Sequence, residues 1–134
     1  MNELTVFNNV ASAYSSVSTD SVEDKKKLVN AMNNPTYKLN DFINKTINMQ
    51  DIYAENVELT DSDTGELYEA VRVVILDTDG NSYQTISKGV YNSLSKIMAV
   101  MGPPTWKDGL KVEVKSITKG SGKDVRNILT LKLV

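Results

Sequence analysis

The apolar residues change period at Ile47. Before it, in residues 22–33, Leu28, Val29 and Met32 share one side of a helical wheel; after it, apolar positions recur every second residue. Residues 52–59 read as a first strand whose alternation slips near Asn56, which predicts a bulge there. Asp61-Ser62-Asp63-Thr64-Gly65-Glu66 is dense in turn formers and leads into a second strand, residues 67–76. There Val71, Val73 and Ile75 share one face, and Tyr68, Ala70, Arg72 and Val74 the other. Asp77-Thr78-Asp79-Gly80 predicts a tight hairpin, with Gly80 taking the positive φ that a side chain resists, and residues 82–86 return as a third strand.

The period then reverts to that of a helix. Ser87 is placed to cap it, Val90, Leu94, Ile97, Met98 and Met101 recur along one stripe, and Gly102-Pro103-Pro104 ends it. Leu110, Val112 and Val114 alternate with Lys111, Glu113 and Lys115 in a fourth strand, and Leu129, Leu131 and Leu133 alternate in a fifth. Between them lies the cationic Gly/Ser/Lys hairpin 118–126. Upstream, Ser21-Val22-Glu23-Asp24 has capping-box spacing for a helix over about residues 21–33 that Pro35 stops. Residues 39–45 suit a short helical turn with Phe42 and Ile43 packing. Residues 1–20, rich in Ser, Asn and Thr, read as a mobile arm or an irregular edge.

Three meander strands, a helix and two further strands is the order of the OB-fold, so the expected architecture is mainly β. It is a five-stranded barrel over residues 47–134, with the helix between strands three and four and an N-terminal helical extension over residues 1–46. In that fold the outer faces of strands two and three, with loops one-two and four-five, receive oligonucleotides. Charge supports such a use of the second half. The net charge of -2 conceals a division: residues 1–70 carry 5 Lys+Arg against 12 Asp+Glu, and residues 71–134 carry 10 against 5.

Composition excludes several chemistries. With no Cys and no His, the chain has no disulfides, no thiolate nucleophile, no His-based triad and none of the usual zinc or haem ligands. Gly120-Ser121-Gly122-Lys123 fails as a phosphate loop, because Ile117 stands where its first glycine belongs and Asp124 where its Ser/Thr belongs. Asp61, Asp63 and Glu66 fail as an EF-hand, since Gly65 comes one place early and Arg72 stands where the last ligand, a Glu, is required. No catalysis, cofactor or metal is expected. Neither is a membrane span or a secretory leader, so the expected location is the cytoplasm.

The segment Asp79-Gly80-Asn81-Ser82-Tyr83-Gln84-Thr85-Ile86-Ser87-Lys88-Gly89-Val90 has a partner further on. At a helix's distance it is followed by Lys111-Val112-Glu113-Val114-Lys115, the Gly/Ser/Lys loop and a leucine-alternating strand. Together they resemble the small single-stranded DNA-binding proteins of tailed bacteriophages, over roughly residues 47–134. The resemblance implies a non-catalytic protein that coats displaced template strands in the host cytoplasm with little sequence preference, alongside phage replication proteins. A homodimer or higher oligomer is compatible with the sequence. By position it carries over Tyr83 and Lys88 as binding residues.

Sequence-tolerant binding needs cations along the backbone and platforms for bases. Lys88, Lys107, Lys111, Lys115, Lys119, Lys123 and Arg126 supply the first, and Arg72 adds a planar guanidinium on the outer face of strand two. Tyr68, on the same face, is the first choice of platform, and Trp106 either stacks on bases or caps the barrel end. Tyr83 faces inward if the Gly80 turn pairs it with Ile75, and outward if it lies beside Val74. RNA suits the same chemistry. An alternative role is a protein-interaction adaptor that uses the acidic first half.

Overall fold

The computed structural model of the chain describes residues 2–7, 11–120, 122 and 126–134, with side chains from residue 13 onward except for 121 and 123–126. The described residues form one curled, mixed, eight-stranded sheet with two helices: β1 Asn2–Phe7, β2 Ala11–Ser15, α1 Val22–Asn33, β3 Tyr37–Lys38, a 3-10 turn Leu39–Phe42, β4 Thr46–Thr60, β5 Leu67–Asp77, β6 Ser82–Thr85, α2 Lys88–Met101, β7 Leu110–Lys119 and β8 Arg126–Leu133. The meander β4–β5–β6 is antiparallel. β4 also pairs with β7 through its first residues and with β2 through Tyr53–Glu55, and β8 pairs with β7. Among the described residues no ladder joins β6 to β8, and β3 lies parallel to β6 on its free edge.

Local chemistry explains the helices. The Ser21 hydroxyl accepts from the Asp24 amide at 3.1 Å and the Ser87 hydroxyl from the Val90 amide at 3.3 Å, each satisfying an orphan N-terminal donor as expected. α2 ends at Gly102 with φ 87°. Its stripe Val90, Leu94 and Ile97 is buried against Ile52, Val73, Ile75, Val112, Val114 and Leu129. Gly89 lies so close to β8 that a Cβ there would collide with the Leu129 carbonyl and with Ile128 Cγ2. Only glycine lets the start of α2 rest on that strand.

The bulge in the first meander strand lies at Gln50, where the register shifts between Met49 and Asp51, and not near Asn56. The Gln50 carbonyl accepts from the Trp106 amide at 3.0 Å, and its side-chain amide donates to the Lys107 carbonyl at 3.3 Å. The bulge thus turns a backbone acceptor toward the segment after α2, a long-range contact invisible to local alternation.

Residues 11–15 are an ordered strand and not a mobile arm. α1 lies across the outer face of the meander, packing Leu28 and Ala31 with Ala13, Val17, Tyr53, Val74 and Leu76 in a second core. From the turn after it, Leu39 is fully buried in the main core, Phe42 packs against it, and Ile43 is 37% exposed. Both faces of β5 are therefore covered near its C-terminal end, where Val73 to Leu76 are all buried.

Beyond the end of the β2 ladder at Glu55 and of the β6 ladder at Val73, β4 and β5 continue as a two-stranded arm. Five residue pairs, from Asn56–Val71 to Thr60–Leu67, carry it about 17 Å outward at roughly 3.4 Å per residue. Asp61 shapes its tip, its Oδ1 accepting from the amides of Asp63 and Thr64.

Candidate nucleic-acid interface

The unpaired seam between β6 and β8 opens into a groove of about 1030 Å³. One wall is the polar side of α2. Lys88, Asn92 and Lys96 stand at i, i+4 and i+8 and so fall in one row, opposite the buried stripe. A second wall is the outer edge of the meander, with Gln84 and Ile86, joined by Lys38 because β3 pairs Lys38 with Gln84. The third is the β7–β8 hairpin with Ile117, Lys119 and Asn127.

Among the described residues, four lysines line this groove and no carboxylate does. The ion pairs among described residues engage Lys27, Arg72 and Lys115, leaving Lys38, Lys88, Lys96 and Lys119 without an acidic partner there. Ile86 and Ile117 are 50% and 42% exposed, offering apolar surface among the cations. Gln84 Oε1 accepts from Arg72 and Asn127 Oδ1 from Thr118, so both carboxamides keep their NH2 groups as donors. Cations, amide donors and aliphatic surface make a channel for a polyanion with flat, partly apolar bases.

A second cleft, about 700 Å³, lies on the other side of α2 between Tyr91, Leu94 and Met98 and the sheet residues Tyr14, Ala54 and Val71. Among the described residues it contains Glu55 and no cation, which makes it a poor seat for phosphates.

The sequence-predicted residues separate into several groups. Lys88 and Lys119 line the groove. Arg126 is opposite Lys119 in the β7–β8 ladder, though its side chain, like the whole of Lys123, lies outside the described residues. Lys107 and Lys111 are exposed but do not line the groove, and Lys115 is spread between Glu113 at 3.9 Å and Asn44 Oδ1 at 3.1 Å. Tyr68 is 45% exposed on the arm, opposite Leu59 and away from the lysines of the groove.

Three residues are committed elsewhere. Arg72 is on the outer face of strand two as expected, but that face is not open. Its Nε donates to Glu55 at 2.8 Å, Nη1 to Gln84 at 3.3 Å and Nη2 to the Met32 carbonyl near the end of α1. These contacts tie a helix end to the sheet. Tyr83 pairs with Ile75 and faces inward, 5% exposed, beneath Tyr37 and Phe42 at ring separations of 5.5 and 4.9 Å. Its hydroxyl donates to Asp77 at 2.7 Å, and burial together with that bond pushes the phenol pKa well up. Trp106 is half-buried and packs against the main core.

Lys38, Lys96 and Asn92 complete the groove and were not singled out from sequence. The spacing of 88, 92 and 96 was a legible signal, whereas nothing local marks Lys38, which arrives by a parallel pairing across 46 residues.

Among the described residues no cluster of His, Cys, Asp or Glu could hold a metal, and no helix is long and apolar enough to cross a membrane. A positive channel on a curled β-sheet is the kind of surface that single-stranded nucleic-acid binders present. The chain belongs to the phage single-stranded DNA-binding proteins: the family model described as "Phage Single-stranded DNA-binding protein" matches residues 7–134. No curated protein and no solved structure matches the chain.

Proposed function

We propose that the protein coats single-stranded DNA during phage replication in the host cytoplasm with little sequence preference, seating the strand in the groove between β6 and β8. One observation carries the placement: among the described residues, four lysines without an acidic partner and no carboxylate line the cleft that the seam leaves open. Lys38, Lys88, Lys96 and Lys119 neutralise phosphates. Ile86 and Ile117 pack against bases, and the free amide donors of Gln84 and Asn127 meet base edges without selecting among them. Neutralisation by lysines without base-specific contacts gives affinity that falls with salt and varies little with sequence.

The meander, α2 and the β7–β8 hairpin follow the strand order of an OB-fold whose closing edge is left open as the binding seam. In this reading the N-terminal segment replaces part of the usual ligand face, since α1 covers strand two, and strand three with loop four-five keeps the DNA.

Anisotropy of a labelled oligo-dT, with oligo-rU and duplex DNA as competitors, tests the proposal. Tight binding to oligo-dT at low salt, weakened by Lys88→Ala/Lys119→Ala, is expected. Undetectable oligo-dT binding at low salt refutes it.

A further inference from the structure

The arm formed by the outer halves of β4 and β5 carries the opposite charge to the groove. Between Lys45 and Arg72 the chain contains no Lys or Arg. Glu58, Asp63, Glu66 and Glu69 are all exposed on the arm, and Glu58 lies directly opposite Glu69. Like charges facing each other across a ladder oppose pairing, so a cationic surface brought against the arm relieves a repulsion built into it. The same arm exposes Leu67 by 64% and Tyr68 by 45%.

The groove is its complement in both respects. It has lysines without an acidic partner among the described residues, together with the exposed side chains of Ile86 and Ile117. The arm's own tip is not among the residues lining the groove of the same chain, so the two surfaces do not meet within one copy.

We propose that, without DNA, the acidic arm of one copy docks in the lysine groove of a second, so that arm and DNA compete for one site. The proposal rests on the reading of the groove as the DNA seat. The contact joins two different surfaces and is heterologous, so each docked copy still offers a free arm or groove and association runs on into chains or rings. Single-stranded DNA, the stronger polyanion, displaces the arm and releases copies onto the strand.

Sedimentation velocity of the full chain at about 50 mM and about 500 mM salt tests this, because the screening length falls from roughly 14 Å to about 4 Å across that range. Concentration-dependent association at low salt, lost at high salt and lost again on adding oligo-dT, is expected. Glu58→Lys/Glu69→Lys should abolish association while keeping oligo-dT binding at least as tight as before. Lys88→Glu/Lys119→Glu should abolish association and DNA binding together. Mixing the two variants should restore association, since a reversed arm then meets a reversed groove. A protein that stays monomeric at low salt at every concentration, association indifferent to Glu58→Lys/Glu69→Lys, or a mixture that fails to associate overturns the proposal. If the groove variant loses association but still binds oligo-dT, the docking stands and the DNA seat has been misplaced.

Discussion

Replacing Lys88 and Lys119 by Ala removes two of the four lysines that line the groove among the described residues. Each phosphate neutralised on a single strand contributes about -0.7 to the slope of log K against log salt, so four lysines give roughly -2.8. Between about 50 and 200 mM salt, a fourfold change, that slope corresponds to about a 50-fold loss of affinity. With two lysines left the slope falls to roughly -1.4 and the loss to about sevenfold. Trp106 packs against the core and is a poor reporter, so anisotropy of a labelled oligo-dT across a salt series is the appropriate assay. Lys107→Ala/Lys111→Ala, which removes two exposed cations that do not line the groove, is the matched control and should leave the slope unchanged. Should the two double variants lower the slope equally, attraction comes from diffuse positive charge and the groove is not the seat.

Other expectations follow from the same geometry. Arg72→Ala strips Glu55, Gln84 and the Met32 carbonyl of a shared partner, and should cost about 2–3 kcal/mol in denaturant unfolding; a loss of DNA affinity with unchanged stability would return Arg72 to the interface. Gly89→Ala forces α2 away from β8, lowering stability by roughly 1–3 kcal/mol and weakening oligo-dT binding by distorting the groove; an unaltered melt would show the contact is looser than it looks. Tyr53 and Tyr83, both buried, have phenol pKa values raised chiefly by desolvation and next by their hydrogen bonds to Glu55 and Asp77. The folded state therefore holds both protons at pH values where the unfolded chain has lost them. Stability is full below about pH 10 and falls above it by roughly 1.4 kcal/mol per pH unit for each tyrosine. A stability flat from pH 9 to about 11.5 in Tyr83→Phe as well as in the parent chain contradicts that assignment. Finally, residues 47–134 alone would uncover Tyr53, Val74 and Leu76 and lose Leu39 from the core. At about 1.5–3 kcal/mol per fully buried side chain this amounts to roughly 6–12 kcal/mol, comparable to a domain's whole stability. The segment should show no cooperative melt, and finding one would support an independent domain that begins at residue 47.

What local periodicity could convey, it conveyed. The meander, both helix caps, the Gly80 turn and the alternating β7 and β8 are consequences of side-chain spacing acting within one element, and each is present in the structure. Lys88 and Lys119 were legible for the same reason, as cations at the edges of such elements. Errors arose wherever a distant segment supplied the partner. The bulge at Gln50 answers to Trp106, and the burial of Arg72 and Val74 answers to α1.

By itself, then, the sequence determined that this is a mainly β chain with a basic second half, lacking the residues for thiol or imidazole chemistry, and resembling phage single-stranded DNA-binding proteins. Period, turn chemistry and composition are properties of a chain regardless of how it packs. Which face is open was decided only by tertiary structure. An alternating strand states that it has two sides, but not what will cover either of them. Here α1 took the outer side of β5, the parallel β3 brought Lys38 to β6, and the unpaired edge between β6 and β8 became the groove. Coverage is settled by long-range packing, which buries whatever apolar surface the local elements leave over.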